Sequence, residues 1–191
     1  MAGKQAKTLT PEALRRALTL ARRSPSPERD VVILMLSIRA GLRASEIARL
    51  DWSMVLDARG RVGLSLELQD KAAKMRSGRR VPLHPELRAA LTALRALSDF
   101  EGPVIRSARG GALRPNSVVN WFVAFYRQAG ADGCSSHSGR RTFITAAARQ
   151  AHKAGASLRD VQMLAGHRSI ETTQRYIDGD TDAQRRLVTS L

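Results

Sequence analysis

Between residues 54 and 83 the chain changes its hydrophobic period, and that interruption decides the architecture. Leu14, Ala17, Leu18 and Ala21 fall on one face at helical spacing, as do later apolar sets. Within the interruption Val62, Leu64, Leu66 and Leu68 alternate with other residues, the period of a strand. Asp57-Ala-Arg-Gly60 is a turn signal, and Arg80-Val-Pro-Leu83 reads as a partner strand at a sheet edge, where proline is tolerated. The pattern is therefore α+β, mainly helical with one small antiparallel β-sheet, rather than wound α/β.

Local punctuation sets the helices. Thr10 is placed to cap a first helix with Pro11 at its first position and Glu12 near its positive end, and Ser24-Pro-Ser-Pro27 ends it. A strongly apolar second helix is predicted over 28–40 with Gly41 as its stop, and a short third over 44–52 capped by Ser45. Further helices are expected over 85–97, 116–128, 139–153, 158–164 and 170–177, with a basic, flexible loop at 105–111. No internal repeat or low-complexity tract interrupts them. At 191 residues the chain suffices for one well-buried core, or one domain with a small appendage.

Charge then narrows the partner. Thirty-two Lys and Arg against 17 Asp and Glu give a net charge of +15, which favours a polyanion: DNA, RNA or an anionic membrane surface. No apolar run approaches the roughly 18 residues needed to span a bilayer, and the basic N-terminus lacks the apolar stretch of a secretory signal. Cys134 is the sole thiol, so no intrachain disulfide can form and a reducing cytoplasmic setting suits the chain. One Cys and four scattered His do not build a structural zinc site, and no metal or other cofactor is expected. Single-strand binders stack bases on several aromatic platforms, and aromatics are 4% of this chain, which shifts the expectation to duplex DNA.

The C-terminal third gathers chemistry that folding does not require. Tyr176 carries a phenol with an ordinary pKa of about 10, so about 4 kcal/mol separates it from its anion at neutral pH. As a nucleophile it needs cations and a proton acceptor beside it; otherwise it is a core tyrosine. His167 lies nine residues earlier, an offset that would oppose Tyr176 on one unbroken helix. Gly166-His-Arg-Ser169 breaks the helix, however, and Ser169 can cap a new one, so the two side chains can converge. The same stretch also resembles a helix-turn-helix. His137 and Arg140 share a face at a helix start, with Ser135 or Ser136 as cap, where exposed amides favour an anion. Arg43 sits between two helices, placed to grip two oxygens of one phosphate, with Glu46 either orienting it or capping the helix. Lys74 lies in a ten-residue run with five basic residues, which is either a solvated face or a hairpin tip reaching a phosphate.

Taken in order, Gly-Leu-Arg43-x-Ser-Glu, Lys74 seven residues before Val-Pro-Leu, His137-x-x-Arg140, Gly-His167 and Tyr176 resemble the tyrosine recombinase (phage integrase) family. The resemblance spans about residues 8–180. It implies that family's catalytic-domain fold and strand cleavage with religation through a 3′-phosphotyrosyl link. Tyr176 would then be the nucleophile, Arg43 and Arg140 the clamp on the scissile phosphate, and Lys74 the acid for the departing 5′ oxygen. His137 would act as acid–base and His167 would hydrogen-bond a phosphate oxygen. Lys71, Arg76, Arg79, Arg80, Arg141, Arg168 and Arg175 would contact DNA around them. Two fixed guanidiniums can supply the charge that metal ions supply in other nucleases, and the phosphotyrosine conserves the linkage without ATP.

The implied organisation is a basic extension at 1–9, a catalytic domain at 10–179 and a tail at 180–191 that docks either on a neighbouring protomer or on itself. A homo-oligomer, a tetramer on DNA, is expected, with an accessory protein as a source of DNA specificity. The chain departs from the family pattern in three places. It starts almost directly at the catalytic domain, where most relatives carry a separate N-terminal domain. Arg141 stands where many relatives have His and cannot accept a proton. The Arg140-to-His167 interval is a few residues long, and 151–156 is expected to absorb the excess. Two rivals stay open: a type IB topoisomerase, and a non-catalytic DNA-binding regulator using residues 158–177.

Overall fold

The computed structural model describes residues 6–69, 78–97, 101–107, 109–176, 185, 188 and 189. Eight α-helices and one two-stranded sheet are found among them. Helix α1 (Pro11–Arg22) starts as its sequence dictates: the Thr10 side chain accepts from Ala13 N, and proline occupies the first turn. Ala13, Ala17 and Ala21 form its buried stripe, small enough to let α1 lie close against α2 (Pro27–Arg39). Helix α2 is the hub. Val32, Ile33, Leu34 and Leu36 are all fully buried, and the helix packs against α1, α4 (Pro85–Ala96) and α6 (Ser138–Gln150).

Helix α3 is shorter than the 44–52 expectation. It covers Ala44–Ala48, and a single 3-10 turn at Trp52–Met54 follows. Ser45 does not cap it. Arg43 holds the N-cap position, because the Glu46 carboxylate reaches back 2.8 Å to accept from Arg43 N. Strands β1 (Ser65–Leu68) and β2 (Arg79–Pro82) pair antiparallel, with Leu66 opposite Val81 and Leu68 opposite Arg79. Leu66, Leu68 and Val81 face the core, and Pro82 ends the pairing at an edge. The alternation fails at Leu64, which precedes the strand and is 75% exposed.

Helix α5 (Pro115–Gln128) buries Val118, Phe122, Phe125 and Tyr126, so three of the chain's eight aromatic rings are buried on this one helix. The basic segment near residue 105 is tied down at one end by Ile105, which is fully buried. After α6 comes a 3-10 turn (His152–Ala154), which ends at the left-handed Gly155. Helix α7 (Leu158–Ala165) opens with a capping box between Ser157 and Asp160 and stops at Gly166. Helix α8 is short, Ile170–Gln174, and ends before the expected 177.

Two cores result. The larger joins α1 to α5 and the sheet; a smaller one, built on Ile144, Ala151, Val161 and Ala165, also packs Phe143 and Tyr176. They meet where α6 crosses α2: Gly41 is pressed against the Phe143 ring and Gly139 against Ser37. No helix among the described residues is long and apolar enough to cross a membrane.

Candidate active site

Four of the predicted chemical residues converge at that junction. Arg140, one turn into α6, is 4% exposed, and its guanidinium is held by two backbone carbonyls. Nη1 donates to Gly41 O at 2.5 Å and Nη2 to Ala165 O at 2.6 Å. Both carbonyls lie at the C-terminal ends of helices, α2 and α7, where partial negative charge favours a cation. Burial, then the neighbouring Arg43, pulls the Arg140 guanidinium down to about 10, so it stays charged at neutral pH. Its location at the crossing of three elements fixes it relative to both cores.

His137 is itself the N-cap of α6; neither Ser135 nor Ser136 takes that place. Ser135 Oγ instead accepts from His137 N at 3.3 Å, and Ser136 Oγ lies 3.3 Å from His137 Nδ1. His137 and Arg140 thus line one cleft, of about 740 Å³, together with Arg141, Arg175 and Tyr176.

The corner at Gly166 does bring His167 and Tyr176 together. Their rings stack with centroids 5.4 Å apart and planes 24° from parallel. His167 Nδ1 bonds the buried Thr173 Oγ1 at 2.9 Å, which fixes the ring. Burial, then the charges of Arg140, Arg43 and Arg79, pushes the His167 imidazole down to about 4. It is therefore neutral at pH 7, able to give or take one hydrogen bond but carrying no charge. The Arg141 guanidinium lies over the Tyr176 ring, 5.9 Å from its centroid, at the outer limit of a cation–π contact.

Arg43 acts on this cluster through its charge, which is felt by both Arg140 and His167. Glu46 orients it as well as capping α3, because Oε1 accepts from Arg43 Nη1 at 2.8 Å. Both of the alternatives open for Glu46 hold at once.

Arg79 occupies a different place from that of a DNA contact. Its side chain is 6% exposed and hydrogen-bonds inward to Glu46 and to Leu164 O. Its register accounts for this, since Arg79 is two residues before the buried Val81 on the inner face of β2. Arg80, on the outer face, is exposed. Arg80 and Arg168 border a second groove of about 400 Å³ beside His167. Lys71, Lys74 and Arg76 lie outside the described residues, as does most of the 180–191 tail.

Two cations at these clefts went unsingled in the sequence. Lys7, just ahead of α1, lines the larger cleft and donates to Asp132 O at 3.3 Å. Arg159 borders the second groove, with Nη1 bonded to Gln162 Oε1 at 2.9 Å. No local signal marked Lys7, whose position depends on a partner 125 residues away. Arg159 could have been found, because it lies on the α7 face that also carries Gln162 and Met163.

A helical domain with a two-stranded sheet, placing a phenol, an imidazole and fixed arginines on one cleft with a second imidazole stacked on the phenol, defines a class. The chain belongs to the phage integrase family, whose model matches residues 7–182. Among curated proteins it is similar to the tyrosine recombinase XerC of Brucella suis biovar 1 (strain 1330), 32% identical over 158 residues, covering 80% of this chain and 47% of that protein. XerC of Corynebacterium efficiens is 33% identical over 148 residues, covering 78% and 46%. The chain thus spans about half the length of the curated relatives it matches. Among solved structures, XerA recombinase superposes with a TM-score of 0.74 at 22% identity, covering all of this chain and 65% of that one. XerH recombinase in a post-cleavage complex with its palindromic difH substrate gives 0.73 at 19% identity, covering 97% and 53%. These structural likenesses carry the fold.

Proposed function

We propose that residues 10–179 form the catalytic domain of a site-specific DNA recombinase that cuts and rejoins duplex DNA through a 3′-phosphotyrosyl intermediate. The observation that carries this reading is that Tyr176 opens on the same cleft as His137 and Arg140, with the His167 ring stacked on it from the adjoining groove. The Tyr176 phenolate attacks the scissile phosphorus, the 5′ oxygen leaves with a proton from Lys74, and the reverse attack by a 5′ hydroxyl reseals the strand. Arg43 and Arg140 stabilise the charge on the non-bridging oxygens, an effect worth about 3 kcal/mol per fixed donor in such sites. His137 moves the phenolic proton. His167, held neutral, contributes a hydrogen bond to a phosphate oxygen.

Duplex DNA is the partner that fits the net charge of +15 and the arginine-lined grooves. The relatives' bound complexes, including XerH on difH, support it. Assembly as a tetramer on DNA, help from an accessory protein, a cytoplasmic setting and docking by the 180–191 tail complete the proposal. The test is sequencing of host DNA covalently trapped on the denatured protein, with Tyr176→Phe as control. Adducts at a few discrete inverted-repeat sites are expected. Scattered adducts would make it a topoisomerase, and non-covalent occupancy with no adduct above the control would make it a regulator.

A further inference from the structure

Arg79 is a buried cation with no role yet in the chemistry. Each guanidinium nitrogen donates: Nε to Leu164 O at 2.8 Å, Nη1 to Glu46 Oε1 at 2.9 Å and Nη2 to Glu46 Oε2 at 3.1 Å. Glu46 has a fully buried side chain and also accepts from Arg43 Nη1 and Arg43 N, both at 2.8 Å. Two guanidiniums therefore share one carboxylate, and the group keeps one net positive charge.

The sharing is unequal. Arg79 grips Glu46 through both carboxylate oxygens from a buried position, the strong bidentate form of the pair. Arg43 gives Glu46 one side-chain nitrogen and keeps 23% of its side chain exposed. A guanidinium has five N–H donors, so Arg43 retains donors and charge for an anion.

We infer that Arg79 is a positioning residue for Arg43: it neutralises Glu46, so that the carboxylate can orient Arg43 without cancelling its charge. The inference rests on the reading that gives Arg43 the scissile phosphate. The same guanidinium ties three elements of the site together. It sits on β2, holds the α3 carboxylate, and bonds the α7 carbonyl three residues before His167. Gly166 packs directly on it; a Cβ there would stand 2.9 Å from Arg79 Nη1. Burial pushes the Glu46 carboxyl up, but hydrogen bonding and charge from Arg79, then Arg43, hold it down at about 2, so the carboxylate is charged at neutral pH and needs its partner.

Substitution of charge in pairs tests this. In Arg79→Met, Glu46 has only Arg43 left and the group becomes neutral; in Arg79→Met with Glu46→Gln, the charge on Arg43 is restored. Two readouts are taken on the full chain: binding of inorganic phosphate, followed by the Arg43 side-chain NMR signals, and single-turnover adduct formation on a duplex recovered from trapped adducts. Arg79→Met should lower both, the adduct rate by about 100-fold, the scale for losing one charge-stabilising donor. The paired variant should recover at least about tenfold of that loss at equal folded fraction. A paired variant no better than Arg79→Met, or Arg79→Met with wild-type phosphate affinity, overturns the inference. If Arg79→Met does not fold, Arg79→Lys replaces it: retained charge should keep phosphate affinity within about threefold of wild type, and a larger loss overturns the inference. If the wild type never forms an adduct, the recombinase reading fails, while the order of phosphate affinities still decides the role of Arg79.

Discussion

Replacing Gly41 with alanine should damage the fold and the site together, by amounts the structure separates. Gly41 has φ +64°, and its carbonyl is one of the two that hold Arg140. A side chain in that left-handed conformation costs about 1–2 kcal/mol. The new Cβ would also lie 2.4 Å from Phe143 Cδ1 and 2.9 Å from Cε1, far inside contact distance. The ring that must move belongs to the smaller core, and overpacking of this kind costs about 1–3 kcal/mol more. The total is about 2–5 kcal/mol. Gly60→Ala is the control: φ is +72° there, yet nothing lies within 4 Å, so only the conformational part should appear. Urea denaturation of both variants, at unchanged m-value, measures the difference. Equal losses at the two glycines would refute the claim that α6 is pressed onto the 41–43 turn.

Three further outcomes follow from the site. Arg140→Ala should lower adduct formation by about 100-fold or more, since it removes a fixed transition-state donor and leaves two carbonyls unpaired; a rate within a few-fold of wild type would remove Arg140 from the chemistry. Glu46→Gln, which strands Arg79 in a buried site, should cost about 3–5 kcal/mol in denaturation, and a loss under about 1 kcal/mol would contradict the pairing. The His167 ring should titrate near 4 rather than 6.5 when followed by NMR. Because the unfolded chain takes up that proton first, stability is level above pH 6.5 and falls as pH drops toward 4. For a half-buried ring the loss is about 1–2 kcal/mol after screening, and an ordinary titration near 6.5 would show that neither burial nor the three arginines perturb it.

What the sequence revealed depended on how local the cause was. Thr10 and Pro11 start α1 as read, because capping is decided within one turn. The sheet was legible from Leu66, Leu68 and Val81, but Leu64 misled, since a bend ahead of β1 turns it outward. Ser45 looked like a cap by residue type; the carboxylate of Glu46 reaches the backbone of Arg43 and moves the helix start. The convergence of His167 with Tyr176 could be argued from the Gly166 break alone. Arg79 reads in sequence as one more member of a basic run, because charge suggests solvent. Counting back from Val81 would have put it inward, but its partners, Glu46 and Leu164, lie 33 and 85 residues away and no local pattern announces them. Lys7 was hidden for the same reason.

The central claim is that Tyr176 forms a covalent bond to DNA, and the direct measurement is mass spectrometry of the protein–DNA adduct after nuclease and protease digestion. The account predicts a nucleotide joined through its 3′ phosphate to the peptide that contains Tyr176, absent from Tyr176→Phe. A nucleotide on any other residue, or an adduct that persists in Tyr176→Phe, would contradict it.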